Sequence, residues 1–87
     1  MNILSIVHQH HKPYSELEKE FMYRQKNLIP FDYEFLMLFG QAALEVGRLR
    51  KALEATRGAL VHTQDPVRRA LAYLALSRIY RMMMYMD

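Results

Sequence analysis

The sequence predicts an all-α fold, in which antiparallel helical hairpins form a short array of about four helices. Apolar residues recur at three- and four-residue spacing over most of the chain, which is the period of one helix face. Glycine and proline interrupt this period at points where helices would end. Runs that alternate apolar and polar residues, as half-buried strands do, are missing.

The composition is that of one small domain, covering residues 1–87. Apolar residues make up 52% of the chain, which excludes a disordered protein. Cysteine is absent, so the chain has no disulfide or thiol chemistry, and we expect a cytoplasmic protein. The N-terminal MNILSIV has no basic leader, and no stretch approaches the roughly 18 uninterrupted apolar residues of a membrane helix. We therefore expect neither a secretory signal nor membrane insertion.

Residues 1–13 form an N-terminal segment or a short helix, which Pro13 would interrupt. His8, His10 and His11 make an HxHH cluster, and imidazole is a good ligand for zinc, nickel or copper. No cysteine and no convincing acidic residue follows at a matching ligand spacing, so adventitious metal binding is the better interpretation. We expect neither a structural metal site nor a cofactor.

A first helix is predicted over residues 15–26, ending at Asn27, because Ser15 and Glu18 have the spacing of a capping box. Its inward positions would be Leu17, Phe21 and Met22. Its closely spaced glutamates mark a solvated face rather than a catalytic carboxylate pair.

The hairpin over residues 32–61 is the most informative part of the sequence. Asp32 would cap its first helix, and Gly47 can adopt the left-handed conformation that ends a helix. Small residues on both helices would allow the two backbones to approach closely. The predicted turn and packing residues are Gly40, Ala43, Gly47, Ala52 and Ala59.

The last helix is predicted over residues 66–86, with Asp65 as its N-cap and Pro66 at its first position. From Ala70 onward it is apolar nearly all round, and such a helix needs cover on every side. The hairpin would cover part of it, and no further helix follows to pair with the rest. We expect an exposed apolar strip of the size that marks an interface. The alternative is that the N-terminal helices fold over this strip.

The hairpin resembles the tetratricopeptide repeat, whose unit is two antiparallel helices in about 34 residues. The matching positions are Leu36, Phe39, Gly40, Ala43 and Gly47, then Ala52, Thr56, Ala59 and Leu60. The last helix repeats the first-helix pattern with Tyr73, Leu76, Ser77 and Tyr80, although Met84 stands where the family has glycine. The resemblance covers residues 34–84 and implies a fold more than a function.

In that family, one side of the first helices lines a concave groove that holds a peptide or a helix. The resemblance therefore implies partner-binding residues on two helices. They are Met37, Gln41, Leu44 and Glu45 on one helix, and Leu71, Leu74, Arg78, Arg81 and Met82 on the other. A short array with an open apolar end is also similar to the small type III secretion co-chaperones, which shield a helical needle subunit.

The leading hypothesis is a non-enzymatic module or chaperone that holds an amphipathic helix of another protein in an obligate hetero-complex. Homo-oligomerisation through the last helix, as a structural or adaptor protein, is one alternative. Nucleic-acid binding is a second alternative, because residues 41–87 carry eight Lys/Arg against four Asp/Glu. The residues concerned are Arg48, Arg50, Lys51, Arg57, Arg68 and Arg69, which form no continuous stripe. An enzyme is the weakest class, because no thiol, phosphate loop or His–carboxylate constellation is present.

Overall fold

The computed structural model describes residues 13–85. Within that range the chain forms four helices and no strand. The helices are α1 (Tyr14–Lys26), α2 (Tyr33–Glu45), α3 (Leu49–Val61) and α4 (Pro66–Tyr85). The predicted all-α fold with a helical hairpin is confirmed. The histidine cluster His8, His10 and His11 lies outside the described residues, as does position 86 of the predicted last helix.

The start of α1 differs from the predicted capping box. Pro13 occupies the N-cap position without a side-chain hydrogen bond, and its carbonyl accepts from the amides of Glu16 and Leu17 at 3.1 and 3.3 Å. Proline suits this place because its fixed φ, here −60°, leads into a helical turn. The helix therefore begins at Tyr14, and Ser15 already lies inside it.

Two side chains of α1 also differ from expectation. Glu18 accepts a hydrogen bond from the Tyr14 hydroxyl at 2.8 Å instead of reaching back to the backbone. Met22 is 61% exposed, so its predicted inward position is wrong. Leu17 is buried and Phe21 packs against the core, because these two positions lie four residues apart on one face.

Aspartates begin the second and fourth helices, as the sequence predicts. The Asp32 carboxylate accepts from the Phe35 amide at 2.7 Å at the start of α2. The Asp65 carboxylate accepts from the Arg68 amide at 2.9 Å at the start of α4. Each bond satisfies an amide that has no partner inside its own helix.

The turn between α2 and α3 is a Schellman motif centred on Gly47. Its φ is 80°, in the left-handed region. The Arg48 amide donates to the Ala43 carbonyl at 2.8 Å, and the Gly47 amide donates to the Leu44 carbonyl at 3.1 Å. These bonds satisfy the last carbonyls of α2 and send the chain back along it.

The contact between α2 and α3 is the most extensive of the described helix pairs. A Cβ on Gly40 would lie 2.6 Å from the Thr56 hydroxyl oxygen, so Thr56 would have to shift to admit any larger residue. Ala43, Ala52 and Ala59 are fully buried. Gly40 and these three alanines therefore lie inside the core of the hairpin, whereas Gly47 lies at its exposed turn.

Aromatic rings join α1 to this hairpin. The Phe21 ring centroid lies 4.9 Å from that of Phe31 and 4.8 Å from that of Phe39. The guanidinium carbon of Arg24 lies 4.3 Å from the Phe35 ring centroid, within cation–π distance. The core thus lies between α1 and the hairpin of α2 and α3, and it includes Ile79 of α4.

One face of α4 packs on α3. The buried residues of α4 are Ala72, Leu76 and Ile79, which share a face. Arg69 lies on the same side and donates to the carbonyls of Leu60 at 2.8 Å and Thr63 at 3.1 Å. These two hydrogen bonds fasten the first turns of α4 to the end of α3.

Candidate protein-interaction surface

Much of the surface of α4 is apolar and uncovered by residues 13–85. Leu71 is 51% exposed, Leu74 is 53% exposed and Met82 is 43% exposed. Arg78 and Arg81 are exposed among them. The apolar strip expected on the last helix is therefore present, because α3 buries one face of α4 only.

α2 and α4 meet at their N-terminal ends. The Tyr33 hydroxyl donates to the Arg68 carbonyl at 3.0 Å. The Arg68 guanidinium pairs with the Glu34 carboxylate at 3.1 Å, and its carbon lies 5.4 Å from the Tyr33 ring centroid. Since α3 returns the chain between them, α2 and α4 run in the same direction from this contact.

On α2, helical periodicity places the predicted binding residues in line with Tyr33. Met37, Gln41 and Leu44 follow it by four, eight and eleven residues, which places all three within about a quarter turn of Tyr33 around the helix. Met37 and Leu44 are half-buried and pack against the core. Gln41 is exposed and donates to the Glu45 carboxylate at 3.3 Å.

On α4, helical periodicity relates three of the predicted binding residues to Arg68. Leu71, Arg78 and Met82 follow it by three, ten and fourteen residues, which places all three within about a quarter turn of Arg68 on one flank of the helix. These side chains therefore lie on the same flank of α4 as Arg68, the residue that contacts α2. We name the surface between the two lines of residues the α2–α4 groove. It comprises Met37, Gln41 and Leu44 from α2, and Leu71, Arg78 and Met82 from α4.

The remaining predicted binding residues of α4 lie at the edge of this groove. Leu74 and Arg81 are six and thirteen residues after Arg68, which turns them away from α2 toward solvent. The opposite flank of α4 is also apolar and exposed. Its residues are Tyr73, Tyr80 and Met84.

The charge of α4 is entirely positive. The helix holds four arginines and no acidic residue. Arg68 and Arg69 have the partners described above. Within residues 13–85, neither Arg78 nor Arg81 lies within salt-bridge distance of a carboxylate. The groove and its edge therefore present two arginines among apolar side chains.

The basic residues considered for nucleic-acid binding are partly engaged in other contacts. Lys51 pairs with Glu54 at 3.7 Å, and its ammonium lies 5.6 Å from the Phe21 ring centroid. Arg68 and Arg69 join α4 to its neighbours. These contacts lie on different helices.

Leu28 is the most exposed large apolar residue in the described range, at 89%, and no feature of the sequence predicts this. Its φ of 55° is left-handed, which is uncommon for a residue with a branched side chain. The Leu28 amide donates to the Gln25 carbonyl at 3.4 Å and the Ile29 amide to the Arg24 carbonyl at 2.9 Å. The C-terminal end of α1 is therefore a second Schellman motif, with leucine instead of glycine at the left-handed position.

The described residues offer no metal site, since none of their His, Asp and Glu side chains gather in groups of three or more. None of the helices in residues 13–85 is long and apolar enough to cross a membrane. Comparison with protein-family models, curated proteins and solved structures finds no match to this chain.

Proposed function

We propose that this protein is a non-enzymatic binding module that holds an amphipathic helix of a partner protein in the α2–α4 groove. The observation that supports this most directly is the alignment of exposed Leu71 and Met82 with the contact between Tyr33 and Arg68. That alignment would leave a groove between α2 and α4, which run in the same direction. A helix with apolar residues at three- and four-residue spacing is the natural occupant of such a groove.

Binding would remove apolar surface from water on both sides. Leu44, Leu71, Leu74 and Met82 would contact the apolar stripe of the partner helix. Full burial of one such side chain stabilises a complex by about 1.5–3 kcal/mol. Met82 suits this surface because its unbranched thioether adapts to different neighbours.

The charge of α4 favours an acidic partner over a second copy of the chain. Arg78 and Arg81 would pair with carboxylates on the partner helix. In a symmetric α4–α4 dimer the same arginines would face a second α4, which carries no acidic residue to pair with them. This supports a hetero-complex and disfavours the homo-oligomeric alternative.

The test is a titration of the full chain with a synthetic peptide of 20 residues, the length of α4. The peptide carries leucines on one helix face and glutamates on the other, with a terminal fluorophore for anisotropy. We expect it to bind more tightly than a scrambled peptide of the same composition. Replacing Leu71 and Met82 together by serine should weaken binding about tenfold or more.

Arg57→Ser is the matched control, because Arg57 is exposed on α3 and lies outside the groove. It should leave the affinity unchanged. Equal binding of the ordered and scrambled peptides would refute the proposal, as would full affinity in the Leu71→Ser, Met82→Ser variant. A variant with glutamate at Arg78 and Arg81 should prefer a lysine-bearing version of the peptide.

A narrower form of the proposal follows from the resemblance to type III secretion co-chaperones. The partner would then be an aggregation-prone helical needle subunit. Mixing the two purified proteins and following light scattering would test this. We expect the chain to prevent aggregation of the subunit at equimolar concentration, and the Leu71→Ser, Met82→Ser variant to fail.

A further inference from the structure

A cavity of about 300 Å³ lies on the side of the hairpin that faces α1, and α4 takes no part in it. Its apolar lining comes mainly from the rings of Phe21, Phe31 and Phe39 and from Leu36. The Phe21 and Phe31 rings are stacked with an interplanar angle of 20°, and Phe39 meets Phe21 edge-on at 62°. The cavity is thus bounded by ring faces and edges already arranged for aromatic packing.

Gly58 lines this cavity from the interior of α3. Glycine weakens a helix interior relative to alanine, so its presence there calls for a reason. A Cβ at Gly58 would meet only one atom within 4 Å, the Leu36 Cδ1 at 3.4 Å, which is the end of a side chain. Helix packing therefore does not require glycine at this position, in contrast to Gly40. The absence of a side chain at Gly58 leaves open space in the cavity.

Three polar side chains stand where the cavity opens to solvent: Lys51, Glu54 and His62. Lys51 and Glu54 are 3.7 Å apart, so their charges largely offset each other. Lys51 and Glu54 together offer both donors and acceptors without a net charge. This edge favours a neutral ligand that carries one N–H or O–H group.

We infer that the cavity is a binding site for a small, neutral, planar aromatic molecule of the indole or phenol class. An apolar cavity of about 150 Å³ holds one benzene ring in another protein. The larger cavity here suits a fused two-ring molecule whose faces contact Phe21, Phe31 and Phe39. Its polar atom would lie at the edge formed by Lys51 and Glu54. This inference is independent of the proposed function, because the two sites share no residue.

The test is a titration of the full chain with indole. The protein has no tryptophan, so the fluorescence of indole can be followed without interference from that residue. We expect saturable binding with a dissociation constant below about 1 mM, as befits a ligand of this size. Benzoate and benzylamine, which carry a charge, should each bind at least about fivefold more weakly.

Gly58→Leu should fill the cavity and weaken indole binding at least about tenfold. Arg57→Leu adds the same side chain at the neighbouring exposed position and should bind indole normally. Circular dichroism checks that both variants are folded, and Gly58→Ala provides a milder change if Gly58→Leu is not. Undiminished indole binding in a folded Gly58 variant would overturn the inference, as would the absence of saturable binding or tighter binding of benzoate.

Discussion

Gly47 and Leu28 hold the same position at the ends of two helices, and both have left-handed backbones, with φ of 80° and 55°. Glycine adopts this conformation without steric conflict, whereas a residue with a Cβ loses about 1–2 kcal/mol. The α2–α3 turn is therefore relaxed, and the end of α1 is strained. The two positions predict opposite responses to substitution.

Gly47→Ala should lower the free energy of unfolding by about 1–2 kcal/mol, because alanine would bear the left-handed strain. Nothing lies within 4 Å of a Cβ built at this position, so crowding would not contribute. Urea denaturation followed by circular dichroism measures the change. Arg48→Ala, at the next residue, is the control, and an equal loss there would contradict the explanation.

Leu28→Gly should raise the free energy of unfolding by about 0.5–1 kcal/mol. Relief of the left-handed strain exceeds the added entropy that glycine gives the unfolded chain. Leu28→Ala keeps the strain and should change stability little, since the leucine side chain is 89% exposed. If both variants were equally stable, strain at Leu28 would not be the cause.

Tyr14 gives α1 a dependence on alkaline pH. Burial, followed by the hydrogen bond to Glu18 and the charge of that carboxylate, raises the pKa of Tyr14 above its ordinary value of 10.0. Native Tyr14 then holds its proton at a pH where the unfolded chain has lost it. Its contribution to stability is full below the ordinary pKa and disappears as pH rises through the raised one.

Urea unfolding between about pH 9 and 11 should therefore show the native protein losing stability faster than Tyr14→Phe, which has no phenol to titrate. Tyr85→Phe serves as the control because Tyr85 is 80% exposed. Parallel pH profiles for native protein and Tyr14→Phe would contradict the assignment.

Residue chemistry explains which local features could be predicted from sequence. Asp32, Gly47 and Asp65 have side chains or backbone freedom that suit one helix end and little else. Ser15 has a side chain that can cap a helix, but Pro13 occupies the N-cap position of α1. The Pro13 carbonyl accepts the first hydrogen bonds of that helix. Leu28 carries no signal at all, because leucine does not prefer the left-handed conformation that it adopts here.

At the scale of the helix, the hairpin of α2 and α3 depends on small residues at its contact. Ala59→Leu should lower the free energy of unfolding by about 1–3 kcal/mol, because the added atoms have no space at a fully buried position. Ala70→Leu places the same atoms on the exposed side of α4 and should change it by less than about 0.5 kcal/mol. Thermal unfolding of both variants compares the two sites directly.

The position of α4 could be predicted from sequence, but its buried face could not. Aspartate and proline at residues 65 and 66 mark its start, whereas its apolar residues occur all round the helix. Periodicity therefore gives no preference among faces. The hydrogen bonds of Arg69 to the end of α3 select the face that contains Ala72, Leu76 and Ile79. Because that face packs on α3, the groove residues Leu71 and Met82 are left exposed.

At the scale of the whole molecule, the helices differ in how much of their surface packs against other helices. α2 is covered by α1, α3 and part of α4, while α4 packs mainly on α3. Helices with few buried contacts open more often. Amides in the second half of α4 should therefore exchange with deuterium faster than those around Phe39 and Ala43, as measured by mass spectrometry. Ile79→Ala should increase exchange in α4 more than in α2, and equal rates throughout would show one cooperative unit instead.

The molecule also divides its two candidate sites between two sides of α2. Met37 and Leu44 lie on the side toward α4, and Phe35 and Phe39 lie on the side toward α1. One helix therefore supports both the groove and the cavity. The cavity could not be predicted from sequence, because Phe21, Phe31 and Gly58 come together only when α1 packs against the hairpin.

The exposure of Met82 makes the α2–α4 groove sensitive to oxidants. A thioether accepts oxygen to become a polar sulfoxide, and this chain has no thiol to react first. Mild peroxide treatment would then turn an adaptable apolar contact into one that prefers water, and methionine sulfoxide reductase would restore it. Because Met37 and Met82 both lie in the groove, oxidation of either would weaken the binding of an apolar helix face, and reduction would reverse the change.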